Sequence, residues 1–426
     1  MLIYNKRIKQ NKKVLKCLNI FNLYIIMGKE VNIMGKLLAE EIFKPGSFPE
    51  YTYVSREIAD IGIKYELRLQ QALKVSGFLT SIIGPSKMGK TVLCEKVIDL
   101  DNLIEVSGAD FKGNSDFWKV IGMKAGLSVR GKVTESNTIN RELQVDSYTN
   151  SEEFLISKDR VIDYFKENKK ILVLDDFHYA SEEFQLQIAQ QLKDAIRKEF
   201  KAIVISLPHR ADDAIRKNSD LSGRLSLINI EAWSNEELEE IALKGFEKLG
   251  IKINDDIVKE IAIESLTSPQ LMQYICLSIC NLLDTDTNNI TEVPKDILEK
   301  AYKFTTMNFE YEDVVKVLKA GPDQRGKKRK IYNTNFGYLD IYGLIIESIA
   351  SNPPLMGLSL DDIKNRIDKL INDDIRKPDK QQIKDSLKKL QKIIDTKENI
   401  YKVFEWKDNR LYILDPLFLF YLRWGK

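Results

Sequence analysis

The sequence predicts an α/β fold: a parallel sheet with crossover helices, then an all-α lid, then a C-terminal winged helix-turn-helix domain. Three observations predict it. Across residues 51–233 short apolar runs alternate with helix-like segments, the pattern of a parallel sheet. One of those runs leads directly into Gly84-Pro85-Ser86-Lys87-Met88-Gly89-Lys90-Thr91 and from there into a helix-like segment. From Ser234 onward the pattern is helical, until two short strand-like runs appear near the C-terminus.

Residues 1–45 read as an N-terminal tail. Residues 6–16 are basic, and the apolar run 14–27 is broken by Lys16, Asn19 and Asn22 with no small-residue cleavage site after it, which argues against a signal peptide. The run is also too short and too polar to span a bilayer, so no membrane partner is expected. Met27 and Met34 are alternative translation starts. The α/β core is expected over 46–233, with strands at 78–83, 102–107, 171–175, 202–206 and 225–230. Within it the polar stretch 129–153 has few core residues and reads as a surface insertion. Ser234-Asn235-Glu236-Glu237 is a capping box that opens a helix over 235–248. Helices at 255–265, 268–284 and 294–306 complete a lid over 234–310. The segment 311–335 reads as a basic linker, since Arg325, Lys327, Lys328, Arg329 and Lys330 face a single acid, Asp323.

The last domain, 336–426, has three helices and a two-stranded wing. A helix over 339–350 ends at Asn352-Pro353-Pro354, Ser359 caps a second through about 371, and 380–393 makes a third. Strands at 400–406 and 411–414 flank the turn Lys407-Asp408-Asn409-Arg410. Lys380, Lys384 and Lys388 fall four apart and line one face of the third helix, with Arg410 on the wing. Gln381 and Gln382 are the base-reading candidates beside them. Such a face suits non-specific nucleic-acid contact as well as plain solvation.

Composition narrows the class. The chain has 65 Lys+Arg against 63 Asp+Glu, a formal net charge of +2, so any nucleic-acid contact has to come from a local patch. Four cysteines and two histidines form no disulfide framework and no zinc spacing, which fits a reducing, cytoplasmic compartment. Cys276 and Cys280, four apart on an apolar helix, read as small buried hydrophobes.

The run 84–91 fits G-x-x-x-x-G-K-[ST], a phosphate-binding (P-loop) pattern whose strand and helix flanks are those the mechanism needs. Backbone N–H groups and the helix dipole face the phosphates, Lys90 reaches the terminal ones, and the Thr91 hydroxyl ligates Mg²⁺. Gly84, Pro85, Ser86, Lys87, Met88, Gly89, Lys90, Thr91 and Val92 are thus the expected contacts to ATP or ADP. Ile171-Leu172-Val173-Leu174-Asp175-Asp176 is the partner element. On a strand expected beside the loop's own strand, Asp175 lies near Mg²⁺ through water, and Asp176 orients or deprotonates the attacking water. The next strand ends near Ser206 and Arg210. Either suits a γ-phosphate sensor, and spacing does not choose between them. Arg224, before the last strand, lies where a finger would act on a neighbouring subunit's nucleotide, which implies a homo-oligomer. His178, after the acids, reads as a local packing or capping group.

Over about residues 50–426 these motifs, in this order, resemble the AAA+ and STAND families of P-loop ATPases, and in particular their prokaryotic, archaeal-initiator-like branch. Val54-Ser55-Arg56-Glu57 resembles the hydrophobic-hydrophobic-Gly-Arg-Glu element near the adenine, with Ser55 for glycine. The resemblance thereby assigns Val54 and Arg56 to the nucleotide. Leu174-Asp175-Asp176-Phe177 resembles the families' hydrophobic-Asp-Asp element, and Arg210 sits where many members carry a sensor arginine. Ser268-Pro269-Gln270-Leu271 resembles the G-x-P element whose proline packs on the adenine, here Pro269 without the usual glycine. The lid helix lacks the second sensor arginine of typical AAA+ proteins. Together these features imply an ATP-binding, slowly hydrolysing, Mg²⁺-dependent oligomeric switch that signals to a separate effector, in prokaryotic antiviral defence or regulation. The second reading is a DNA-binding initiator- or transposition-type AAA+ ATPase.

Overall fold

Five apolar runs form the sheet: β1 (Leu79–Ile83), β2 (Leu103–Ser107), β3 (Ile171–Asp175), β4 (Lys201–Ser206) and β5 (Leu225–Asn229). In the computed structural model the described residues are 37–111, 116–127, 156–177, 182–207, 221, 223–323, 328–372, 377–397 and 402–425. The inner strands β1, β3 and β4 are apolar on both faces because both are covered, as in parallel sheets generally, while the edge strands β2 and β5 stay partly exposed. Alternate residues feed opposite cores. Leu172 and Leu174 pack with α3 (Phe117–Lys124), α4 (Lys158–Glu167) and α5 (Glu182–Arg197), through Phe117, Phe165 and Leu192 among others. Val173, Ile203 and Ile205 face the other way, onto Leu69 of α1 (Tyr65–Lys74) and Leu93 and Cys94 of α2 (Lys90–Val97).

All strand pairings are parallel, in the order β2-β3-β4-β1-β5. This corrects one expectation: the strand ending in Asp175 is not beside the loop strand, because β4 stands between them. The chain leaves β1, crosses the sheet on α2 and enters β2 at the far edge. That crossover carries the first turn of α2 over β4 toward the end of β3. The strand order also reverses at β1, which opens a crevice at the carboxyl ends of the strands, where ligands of such sheets sit.

The lid helices follow the capping signals. Ser234 accepts from Glu237 N, with Glu237 reaching back to Ser234 N, at the start of α6 (Asn235–Leu249). Next come α7 (Asp255–Glu264), α8 (Pro269–Leu283) and α9 (Leu298–Thr306). The segment expected as a linker is instead structured in its described part: α10 (Glu312–Ala320) and a hairpin of β6 (Tyr332–Thr334) and β7 (Gly337–Leu339). Val314 and Leu318, one helical turn apart, are buried and anchor α10. The basic run that suggested a linker covers only the residues after it, of which 324–327 lie outside the described residues, as does the whole of the expected insertion 129–153.

The C-terminal part holds α11 (Ile341–Ala350), β8 (Gly357–Ser359), α12 (Leu360–Leu370), α13 (Lys380–Thr396), β9 (Phe404–Lys407), β10 (Arg410–Ile413) and α14 (Pro416–Trp424). β8, β10 and β9 form an antiparallel sheet in that order. Asp408 and Asn409 both take left-handed conformations, φ 51° and 57°, at the two-residue turn, and such a turn matches the twist of the paired strands. The lid and this part share one hydrophobic core. Tyr302 of α9 packs on Phe420 and Trp424 of α14, at ring-centroid separations of 5.9 and 4.7 Å. Arg423 pairs with Glu264 of α7 at 2.5 and 3.0 Å, and Trp424 Nε1 donates to the same carboxylate at 2.8 Å. Cys94, Cys276 and Cys280 are buried. Among the described residues no helix is long and apolar enough to cross a membrane.

Candidate functional site

The loop 84–91 leaves β1 at the crevice, and two of its glycines are dictated by geometry. A Cβ on Gly84 would lie 2.7 Å from the Ile230 carbonyl oxygen, so the loop can pack against the end of β5 only without a side chain. Gly89 has φ 81° and precedes the first residue of α2, a left-handed conformation that costs glycine little. Gly84 N donates to Ser206 O at 3.3 Å, which ties the loop's first residue to the end of β4.

Lys90 and Thr91 then open α2. The Thr91 hydroxyl donates to Asp175 Oδ2 at 2.5 Å, across the width of β4. Loop and acids, 84 residues apart in sequence, thus form one site. Asp175 Oδ1 accepts from Asp176 N at 2.7 Å. Asp176 itself adopts φ 50°, a left-handed geometry that aspartate tolerates better than most residues. Gly108, which follows β2, lies against it: a side chain there would overlap the Asp176 carbonyl oxygen.

Lys90 is 9% exposed, and its Nζ donates to Gly84 O at 3.0 Å and Pro85 O at 2.6 Å. Burial lowers its pKa to about 8, against the opposing pull of Asp175 and Asp176. The Asp176 carboxyl is raised, first by burial and then by Asp175, with Lys90 opposing. Glu105 on β2 is likewise raised by burial, Asp175 and Glu95. The site is therefore a half-buried place where an ammonium and two carboxyls meet. Thr91 Oγ1 and Asp175 Oδ2, adjacent hard oxygens, suit Mg²⁺, which prefers oxygen donors and keeps several waters. Among the described residues no three His, Cys, Asp or Glu side chains cluster as a metal cage. A cation at Thr91 would complete its shell from phosphate and water.

The other expected site residues divide. Ser206 is buried at the end of β4 and meets the loop through its carbonyl. Val54 is buried in the core shared with the lid, and Arg56 is buried beside Trp233. Arg56 acts as a brace: its guanidinium donates to Glu231 O and Ala232 O at 3.1 and 3.0 Å, pairs with Glu237 at 3.0 Å, and stacks 4.6 Å from the Trp233 ring. Trp233 Nε1 in turn donates to Met88 O at 3.1 Å. Pro269 is the first residue of α8, and its neighbour Ser268 donates to Lys87 O at 3.4 Å, so this end of the lid touches the loop. The turn before it holds Leu266 and Thr267 at φ 52° and 62°, where the resembled element carries glycine.

Arg224 lies before the first residue of β5, and its carbonyl accepts from Leu79 N at the start of β1. It is thus at the opposite end of the strands from the loop, about 15 Å away at ~3.3 Å per residue. Arg210 and His178 lie outside the described residues. On α13, Lys380 pairs with Asp361. Gln381 donates to Asp385, and Gln382 is the capping-box residue that accepts from Asp379 N. Both base-reading candidates are therefore engaged.

Sequence reasoning missed Trp233, Gly108, Tyr311 and Asp415. Lys87 Nζ lies 3.0 and 3.2 Å from the two carboxylate oxygens of Asp415, and Tyr311 OH donates to Asp415 Oδ2 at 2.5 Å. Only Trp233, a large aromatic at the core–lid boundary, carried a readable signal.

No protein-family model and no curated protein matches the chain. Among solved structures it is similar to a Walker-type ATPase of Pyrococcus abyssi, at 15% identity and TM-score 0.44 over 84% of this chain and 94% of that one. It is similar to Cdc6p from Pyrobaculum aerophilum at 12% and 0.40, over 89% and 94%. The ORC2 protein of Aeropyrum pernix, solved with ADPNP and ADP, gives 14% and 0.42 over 87% and 94%. Likenesses this distant carry nothing about the chemistry of the present site.

Proposed function

We propose that the chain binds ATP with Mg²⁺ in the crevice between the α/β core and the lid and hydrolyses it slowly. The Thr91–Asp175 contact carries this reading, because it places the hydroxyl that follows the loop lysine against the acid that ends β3. Lys90 then leaves the carbonyls of Gly84 and Pro85 for the terminal phosphates. Thr91 and Asp175 would hold the cation, Asp175 through water, and it would supply neutralisation of charge developing on the phosphates. Asp176, whose carboxyl is held above the usual carboxylate range by burial and by Asp175, accepts the proton of the attacking water. Ser206 and Arg210 are the sensor candidates, and Arg224 is assigned to a neighbouring subunit's nucleotide in a homo-oligomer.

In this reading the protein is a cytoplasmic switch of the AAA+/STAND kind. Its C-terminal region is a winged-helix module that signals to a separate effector in prokaryotic defence or regulation. Engagement of Gln381 and Gln382 favours signalling over sequence-specific DNA reading. The initiator-type alternative keeps Lys384 and Lys388 as a non-specific nucleic-acid face. Titration of Mg²⁺ and a fluorescent ATP analogue tests the site: saturable binding in the native chain should be lost in Lys90→Ala. Equal binding by both chains would refute it.

A further inference from the structure

We propose that Lys87, Asp415 and Tyr311 form a latch between the phosphate loop and the C-terminal helix α14, and that a bound polyphosphate opens it. The inference rests on the nucleotide-site reading above and adds the means by which that site reaches the rest of the molecule.

Lys87 belongs to the loop itself, midway between Gly84 and Gly89, and holds φ 63°. Its ammonium is engaged by the residue that caps α14. Both oxygens of Asp415 take it, at 3.0 and 3.2 Å, although 328 residues separate the two in sequence. Asp415 is fixed from two further sides. Its Oδ2 accepts from Tyr311 OH at 2.5 Å, and its Oδ1 accepts from Leu417 N at 3.0 Å as the N-cap of α14. The side chains are 25% and 20% exposed, so water screens the pair only in part. α14 is bolted to the lid by Arg423 and Trp424 on Glu264, and it shares its core with α7–α13. What Asp415 does is therefore felt by the whole lid and C-terminal body.

A carboxylate at the rim of a loop built for phosphates is a competing anion. Asp415 and a polyphosphate draw on the same ammonium, and each repels the other across a partly desolvated gap. Latch and nucleotide therefore weaken one another, and by linkage the effect is reciprocal: whatever the latch removes from nucleotide affinity, the nucleotide removes from the latch. The ligand is a nucleoside di- or triphosphate, and the response is release of α14 from the loop while α14 stays anchored to the lid.

The test uses the full-length chain, Mg²⁺ with ADP or a non-hydrolysable ATP analogue, and two readouts: nucleotide affinity and amide hydrogen exchange over 415–424. Asp415→Asn keeps one oxygen to accept from Leu417 N, replaces the oxygen facing Tyr311 with an amide N–H that the hydroxyl oxygen can accept, and removes the charge. It should bind nucleotide about 5–10-fold tighter, the lower range of couplings between linked sites. Tyr311→Phe should shift affinity the same way by less, and it keeps the proposal testable if Asp415→Asn fails to fold. In the native chain nucleotide should speed exchange over 415–424, while in Asp415→Asn exchange should already be fast and respond little. The latch is refuted if Asp415→Asn, or Tyr311→Phe where Asp415→Asn does not fold, binds like the native chain or more weakly, or if nucleotide leaves native exchange there unchanged or slower. Lys90→Ala separates the two levels. If the native chain binds and Lys90→Ala does not, while Asp415→Asn equals native, only the latch fails; if the native chain does not bind, the nucleotide reading fails and takes the latch with it.

Discussion

Replacing Lys90 with methionine should remove nucleotide binding and yet make the nucleotide-free protein more stable at neutral pH. The reason is the burial of the ammonium. Its pKa of about 8 lies well below the ordinary 10.5, and at 1.36 kcal/mol per pH unit this is a penalty of about 3 kcal/mol on the charged form. Methionine keeps most of the stem and carries no charge. It also gives up the two hydrogen bonds to Gly84 O and Pro85 O, worth about 1 kcal/mol each. About 1 kcal/mol remains in favour of the variant, or ~2–4 °C in Tm for a cooperative unit of this size.

The sign of the pH dependence follows from linkage. Between pH 8 and 10.5 the unfolded chain holds the Lys90 proton that the folded chain has released, so native stability rises through that window. Below pH 8 the penalty is fully present. At pH 9.5 about 2 kcal/mol of it has gone, and the order of the two proteins should reverse. Thermal melts by circular dichroism at pH 7 and 9.5, without nucleotide, measure both points. A variant that melts below the native chain at pH 7, or a difference that is the same at both pH values, would refute the reasoning.

Asp176→Asn should reduce ATP turnover by about 10²-fold or more, the usual worth of a positioned base, with nucleotide affinity nearly unchanged; steady-state turnover beside a binding titration separates these. Gly108→Ala should act in the same direction, because the new methyl group displaces the Asp176 backbone while the loop and Lys90 stay in place. Turnover should fall and binding persist, and equal losses of both would contradict the placement. Glu264→Gln strips the charge from a pair only 10% and 6% exposed and strands Arg423 between α7 and α14. Urea melts should show a loss of about 3 kcal/mol, and a loss near zero would mean that this clamp does not join lid and C-terminal helix.

The sheet was legible because each strand is an apolar run punctuated by glycine or by charge, and all five lie within one residue of their expected bounds. The loop was legible for a related reason: Gly84 and Gly89 stand where backbone packing and a left-handed φ require them. The order of the strands was not. Parallel strands buried on both faces look alike, and nothing in the Ile171–Asp175 run tells that β4 will separate it from β1. Helix α10 was hidden because only two fully buried side chains, Val314 and Leu318, anchor it, and the charge run after it dominated the reading. Helix α14 and its N-cap Asp415 were not among the elements expected of the C-terminal domain. Its partner Lys87 lies at a variable position of the loop pattern, so neither residue advertised the other.

The most direct measurement is a crystal structure of the chain with Mg²⁺ and a non-hydrolysable ATP analogue. The analogue's β- and γ-phosphates should lie in the 84–91 backbone, with Lys90 Nζ withdrawn from Pro85 O onto them. Mg²⁺ should stand about 2.1 Å from Thr91 Oγ1, with Asp175 reaching it through a water. An analogue seated elsewhere, or a cation that does not touch Thr91 Oγ1, would contradict the account.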